Sequence, residues 1–261
     1  MNSMSIRKII FEMASQSETL REVEKNFFNN TWWPLDIEDY RKRMIIAGLS
    51  SRISYNMINK YNEVCRALDS YTFEELYQMQ DKKIIKIIKP LGLANTRIKF
   101  LKTMCEYLIS RTKKEIFEAN EEVIIEDIVQ NVHGASYKVA QCCLLYAKSY
   151  FCGIFPIDSG MKDVLLPCLG FNQYGPGKGH EQLRKEITKT ILKDLDNFTE
   201  ELEIRYPIFL SNNSNSKADI VIWWSHLVMI YFKRVNCNKK RGTSCTLYQN
   251  MNCIKLSCIK K

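Results

Sequence analysis

The sequence predicts an all-α protein. Apolar residues recur at helical spacing in almost every segment, and period-2 alternation of any length is missing. The segments are punctuated by helix stops and caps, among them Trp33-Pro34, Pro90 with Gly92, and Ser136. A hydrophobic content of 46% beside 26% charged residues is that of a globular chain able to bury a core.

Ile6 to Ala14 and Leu20 to Phe28 have the pattern of short amphipathic helices. Thr31-Trp32-Trp33-Pro34 interrupts it, and Asp36 can cap a helix through about Leu49. The adjacent tryptophans are expected to pack rather than to stack on bases. Leu49 to Ser54 then separates this helix from one running to about Leu68. Glu74 to Met79 and Lys82 to Lys89 are shorter pieces, the second stopped by Pro90, which cannot continue a helix, and by Gly92. Leu91 to Thr96 leads into a helix through about Ser110, and another spans about Glu121 to Gln130.

The stretch from Val132 to Asp158 carries the chemistry. Gly134 can take the positive φ that a tight turn at His133 to Ser136 requires. Ser136 suits a helix N-cap, its hydroxyl accepting from free N–H groups of the first turn. Lys138 then stands in that first turn, at the positive end of the helix. A helix from about Tyr137 to Ser149 is roughly 20 Å long. The residues from Tyr150 to Ile157 reach about 26 Å if extended, enough to return Asp158 towards Lys138. Asp158 precedes Ser159-Gly160 and the apolar-periodic run from Met161, so it also reads as an N-cap. One amine and one carboxylate, each fixed at a helix start, form the candidate reaction centre.

Beyond it, the glycine-rich Tyr174 to Gly179 lacks the spacing of a phosphate cradle and reads as a connector. Polar Ser211 to Lys217 is a linker before a long apolar helix, Ala218 to about Val235, in which His226 is expected in the core. The apolar run from Ile220 to Phe232 falls short of a membrane span. The first fifteen residues lack a sustained apolar core, so no secretory signal is expected and the chain is placed inside the cell, in cytoplasm or nucleoid.

The net charge of +9 is unevenly spread: residues 233–261 hold eight Lys and Arg and no Asp or Glu. A basic end of this kind is either a solvated tail or a surface for a polyanion, with Lys239, Lys240 and Arg241 its densest run. It is interrupted by Cys237, Cys245, Cys253 and Cys258, four of the ten cysteines. Without an export signal, such a group suggests a metal or iron–sulfur site more than disulfides.

Val132-His133-Gly134-Ala135-Ser136-Tyr137-Lys138-Val139-Ala140 resembles the hairpin Leu-Pro-Gly-Val-Gly-x-Lys-Thr-Ala of the helix-hairpin-helix DNA glycosylases, the endonuclease III superfamily. Ile157-Asp158-Ser159-Gly160 is similar to that family's Val-Asp-Thr-His. Ser136 replaces the second hairpin glycine, and Gly160 replaces the histidine after the aspartate. The resemblance implies a lysine nucleophile at Lys138 in the bifunctional members and a catalytic carboxylate at Asp158. It implies DNA phosphate contacts at Gly134 and Ser136, and at Arg52 a side chain that fills the gap left by an extruded base. Arg52 stands where the family has glutamine, and a surface arginine paired with a carboxylate is the alternative there. Family members hold a [4Fe–4S] cluster on four cysteines; His226 to Cys237 and Ser244-Cys245 match parts of that motif, while Gly242 takes the place of one ligand. A cluster using Cys258 instead, a zinc site and an empty loop all stay open.

These readings converge on a base-excision DNA glycosylase with an associated lyase step, acting as a monomer on double-stranded DNA that carries a damaged or mismatched base. Two alternatives remain: a monofunctional glycosylase for alkylated bases, and a non-catalytic helix-hairpin-helix DNA-binding protein. The architecture expected is two-lobed, a helical barrel over residues 40–155 and a second lobe from 1–39 with 156–261, the active cleft between them.

Overall fold

The structure, a computed structural model, describes residues 5–32, 36–171, 174–175, 177–211, 213–237, 245 and 247. Every regular element among them is helical. The described residues form two compact units, one from Asn29–Tyr150 and one from Met1–Phe28 with Phe151–Lys261. The division expected at residues 40 and 155 therefore falls at 29 and 150. Two hydrogen bonds explain the shift: Asn30 N–H donates to the Tyr150 hydroxyl at 2.9 Å, and the Tyr146 hydroxyl donates to the Trp32 carbonyl at 2.9 Å.

The chain opens with α1 (Ile6–Ala14) and α2 (Ser17–Phe27), both part of the discontinuous unit. The Asn29–Tyr150 unit holds α3 (Tyr40–Leu49), α4 (Ile58–Asp69), α5 (Phe73–Gln78), α6 (Asp81–Ile88), α7 (Ala94–Ile109), α8 (Lys113–Glu118), α9 (Glu121–Asn131) and α10 (Tyr137–Lys148). The cap of α3 is Asp39, which accepts from Arg41 N–H at 2.8 Å, and not Asp36. Asp39 also meets the Arg41 guanidinium at 2.8 Å, so the residue nearer the helix gains an ion pair along with the cap. In α5 and α8 the capping boxes Thr72 with Glu75 and Thr112 with Glu115 satisfy the first N–H groups reciprocally.

α10 is the core helix of this unit, with ten of its twelve residues buried. It packs on α3 and α9, and each large apolar side chain so covered contributes about 1.5–3 kcal/mol. The Cys143 thiol, wholly inside, donates to the Met44 carbonyl of α3 at 3.3 Å. Gly48 lies in α3 where the Phe100 ring of α7 comes within 1.9 Å of the place a Cβ would take, so only glycine lets these helices meet.

Arg97 of α7 straps two turns together. It is 4% exposed. Its guanidinium donates to the carbonyls of Leu49, of Ser51 at 3.0 Å, of Gly92 at 2.9 Å and of Leu91 at 3.4 Å. Burial pushes its pKa down, yet a guanidinium stays charged and supplies donors that no neutral side chain could replace. The strapped turns both contain a non-glycine residue at positive φ, Arg52 at 57° and Leu93 at 51°. Arg97→Met is expected to leave these carbonyls short of donors at about 1–3 kcal/mol for each group stranded. A shift of the denaturation midpoint worth less than about 1 kcal/mol would show the turns standing without the strap.

In the discontinuous unit a helix begins at Ser159, widens to a π-turn at Met161–Leu165 and ends as α11 (Leu166–Cys168). It is followed by α12 (Gly179–Leu192), α13 (Leu195–Arg205) and α14 (Lys217–Tyr231). α14 continues as a second π-turn, Phe232–Cys237, where a continuous α-helix to about Val235 was expected. Every residue from Ile220 to Tyr231 is buried. Trp223 Nε1 donates to the Phe27 carbonyl of α2 at 2.9 Å, and the Trp224 ring lies 4.9 Å from Phe11 of α1. Arg7 ties α1 to α13 through Asp194 at 3.0 Å and through Glu201. Among the described residues no helix is long and apolar enough to cross a membrane.

Candidate active site

The predicted hairpin is formed by α9, a turn over residues 132–136, and α10. Gly134 has φ 76° and open space where a Cβ would be, so backbone conformation is what requires glycine there. Ala135 N–H donates to the Val132 carbonyl at 3.1 Å and closes the turn. The Ser136 hydroxyl accepts from Val139 N–H at 3.4 Å as the N-cap of α10. Two side chains hold the hairpin to its own unit. His133 N–H donates to Thr103 Oγ1 at 3.0 Å, and the Tyr137 hydroxyl donates to Glu126 Oε2 at 2.6 Å, joining the two hairpin helices.

The fold thus gathers Gly134, Ser136 and Lys138 into one exposed-to-half-buried turn. Lys138 enters no ion pair with a carboxylate of its own unit.

Asp158 belongs to the other unit and is half-buried. Its Oδ1 accepts from Met161 N–H at 2.6 Å and its carbonyl from Lys162 N–H at 2.9 Å, so it caps the helix that starts at Ser159. Oδ2 accepts no hydrogen bond from described residues of that unit, and the carboxylate is not consumed by a cation there. Nearby, Lys162 pairs with Asp163 at 3.1 Å. Burial, and then the charge of Lys162, push the His180 imidazole down, which leaves it neutral at pH 7 and unsuited to act as an acid.

Residues 45–191 match the HhH-GPD superfamily of base excision DNA repair proteins, a match over more than half of the chain. The chain belongs to that family. Its fold is similar to the crystal structure of H. pylori 3-methyladenine DNA glycosylase (MagIII) bound to 1,N6-ethenoadenine. The identity is 15% and the TM-score 0.61, over 88% of this chain and 98% of the other. None of the curated proteins matches the sequence.

In this HhH-GPD chain Arg52 is exposed, stands in the turn after α3, and pairs with no described carboxylate. The surface ion pair offered as its alternative role is therefore absent among the described residues. Burial pushes the Cys65 and Cys105 thiols up to about 12 and raises the Cys143 thiol well above its usual range, which takes these three away from thiolate chemistry at neutral pH. His226 packs edge-on against Phe155 at 5.2 Å and stacks on Trp223 at 5.6 Å, a core position.

Of the cysteines at the end of the chain, Cys237 and Cys245 are buried, while Cys253 and Cys258 lie outside the described residues. Lys239, Lys240 and Arg241 lie outside them too. Among the described residues no three His, Cys, Asp or Glu side chains are placed to hold a metal. Two thiols are half of what a [4Fe–4S] cluster or a four-thiolate zinc site requires, so no chemical step is assigned to a metal. One side chain beside the turn that Asp158 caps has no signal in hydrophobic periodicity: Lys233, which lies across Gly160. Its only trace in the sequence is that glycine, where the family pattern has histidine.

Proposed function

We propose that the chain is a DNA glycosylase that excises a damaged or mismatched base from duplex DNA and goes on to cleave the abasic product through Lys138. The observation that carries this reading is the amine itself, seated in the first turn of α10 immediately after a positive-φ hairpin and spent on no ion pair of its unit. Hairpin binding of phosphate by backbone N–H groups needs no lysine there, so the residue calls for a chemical role.

In the proposed reaction the target nucleotide is extruded from the stack. The Lys138 amine, deprotonated, adds to the sugar C1′ as the N-glycosidic bond breaks, and the base leaves with the bonding pair and takes up a proton. Asp158 supplies a fixed negative charge for the cationic character that C1′ develops. Opening of the sugar ring turns the adduct into a protonated Schiff base. Loss of a C2′ proton then expels the 3′ phosphate, and water releases the enzyme. Arg52, at the tip of its strapped turn, fills the space the base vacates.

A second reading is favoured by the likeness to a 3-methyladenine DNA glycosylase. There water attacks in place of the amine, the leaving base is an alkylated purine, and Lys138 holds a phosphate.

A panel of duplexes with different lesions, scored separately for base release and strand cleavage, tests both. The expected result is release of at least one lesion with cleavage at the same site and a borohydride-trapped protein–DNA adduct. Release without adduct or cleavage would replace the lyase reading by the monofunctional one. Binding with every base left intact would reduce the chain to a DNA-binding protein.

A further inference from the structure

Gly160 stands two residues past Asp158 with ordinary helical dihedrals, φ −69° and ψ −34°. Glycine gains nothing there from backbone freedom, and within a helix it costs about 0.5–1 kcal/mol against alanine. What the position uses is space. A Cβ on Gly160 would stand 2.4 Å from Lys233 Nζ and 2.5 Å from its Cε. The end of the lysine therefore occupies the room that a side chain at 160 would take, and the ammonium is brought to the turn that Asp158 caps.

Lys233 reaches that place from the π-turn Phe232–Cys237, which packs on the π-turn Met161–Leu165. Wide turns of this kind concentrate at functional sites. The lysine is half-buried and has no carboxylate partner within its unit, whereas its neighbour Lys162 is neutralised by Asp163 at 3.1 Å. A partly desolvated ammonium without a counter-ion is costly to hold until an anion meets it. The anion that base excision brings beside the catalytic carboxylate is the backbone phosphate of the nucleotide under repair.

We propose that Lys233, seated in the space left by Gly160, is a phosphate contact that positions the reacting nucleotide against Asp158. The inference rests on the catalytic reading of Asp158 above, and its test does not depend on turnover. Binding is measured to a duplex containing a tetrahydrofuran abasic analogue, over a range of salt, with variants whose thermal unfolding matches the wild type. Lys233→Met should weaken binding about tenfold, the size of one charge-assisted hydrogen bond, and lower the log–log salt slope by about one. Lys233→Arg should keep the slope. Gly160→Ala suits the local φ and meets only the flexible end of the lysine, so it should displace the ammonium and cause a similar loss without harming the fold. In the double variant Gly160→Ala with Lys233→Met, the second change should add nothing, because both remove the same contact.

An unchanged slope in Lys233→Met, or additive losses in the double variant, overturns the proposal. A borohydride adduct that survives Lys138→Gln and vanishes in Lys233→Met overturns it as well, by making Lys233 the nucleophile. Failure of the glycosylase reading is distinct from these, since it leaves every lesion intact while binding to the analogue duplex persists.

Discussion

Asp158→Asn should bind lesion DNA nearly as well as the wild type and release the base roughly a thousandfold more slowly in a single turnover. The substitution separates the two tasks of this residue. As a cap, Asp158 accepts from Met161 N–H at 2.6 Å, and asparagine caps a helix about as well as aspartate. The turn and the lysine lying across Gly160 should therefore stay in place. In the proposed reaction the carboxylate opposes positive character at C1′, and a neutral amide could not. The loss should thus fall on the chemical step, with KM little changed and the unfolding temperature intact. A variant that unfolds normally and turns over within about tenfold of wild type would remove Asp158 from the chemistry.

Lys138→Gln should abolish the borohydride-trapped adduct and strand cleavage together, while leaving the hairpin folded. Glutamine is a good helix former, and the local structure depends on Gly134, the Ser136 cap and the Tyr137–Glu126 bond rather than on the amine. Under the second reading the wild type itself gives no adduct. The same substitution would then raise KM through a lost phosphate contact and leave kcat where it was. Burst and single-turnover measurements on one lesion duplex separate these outcomes.

Features set by a few adjacent residues were legible in the sequence. Gly134 and Ser136 specify a turn and a cap within three residues, and the structure forms both. The division into helices is legible for the most part because a buried face repeats along the longer amphipathic ones. Competition between near neighbours is harder to read: Asp36 and Asp39 are both acceptable caps, and only the pairing of Asp39 with Arg41 decides for the second. The helix α8 is too short for its period to show, although Thr112 and Glu115 form a local capping box. Contacts made at long range leave no pattern at all. Arg97 reaches the Leu49 carbonyl, 48 residues away, and nothing around it in the sequence distinguishes it from a surface arginine. Lys233, which meets Gly160, stands in the π-turn that ends α14, a change of helix type that periodicity does not announce.

The discontinuous unit sets a timetable for synthesis. Trp223 and its hydrogen-bond partner Phe27 are 196 residues apart. At about 5–20 residues per second, the ribosome needs about 10–40 s to make the chain between them. During that interval the apolar faces of α1 and α2, including Phe11 and Phe27, have no α14 to cover them. The Asn29–Tyr150 unit carries its own core and can fold first. The nascent protein should therefore pass through a state with the hairpin already built and a sticky N-terminal arm still waiting for its partner. Chains stalled before Lys217 should persist in that state and be retained by chaperones that bind exposed apolar helices.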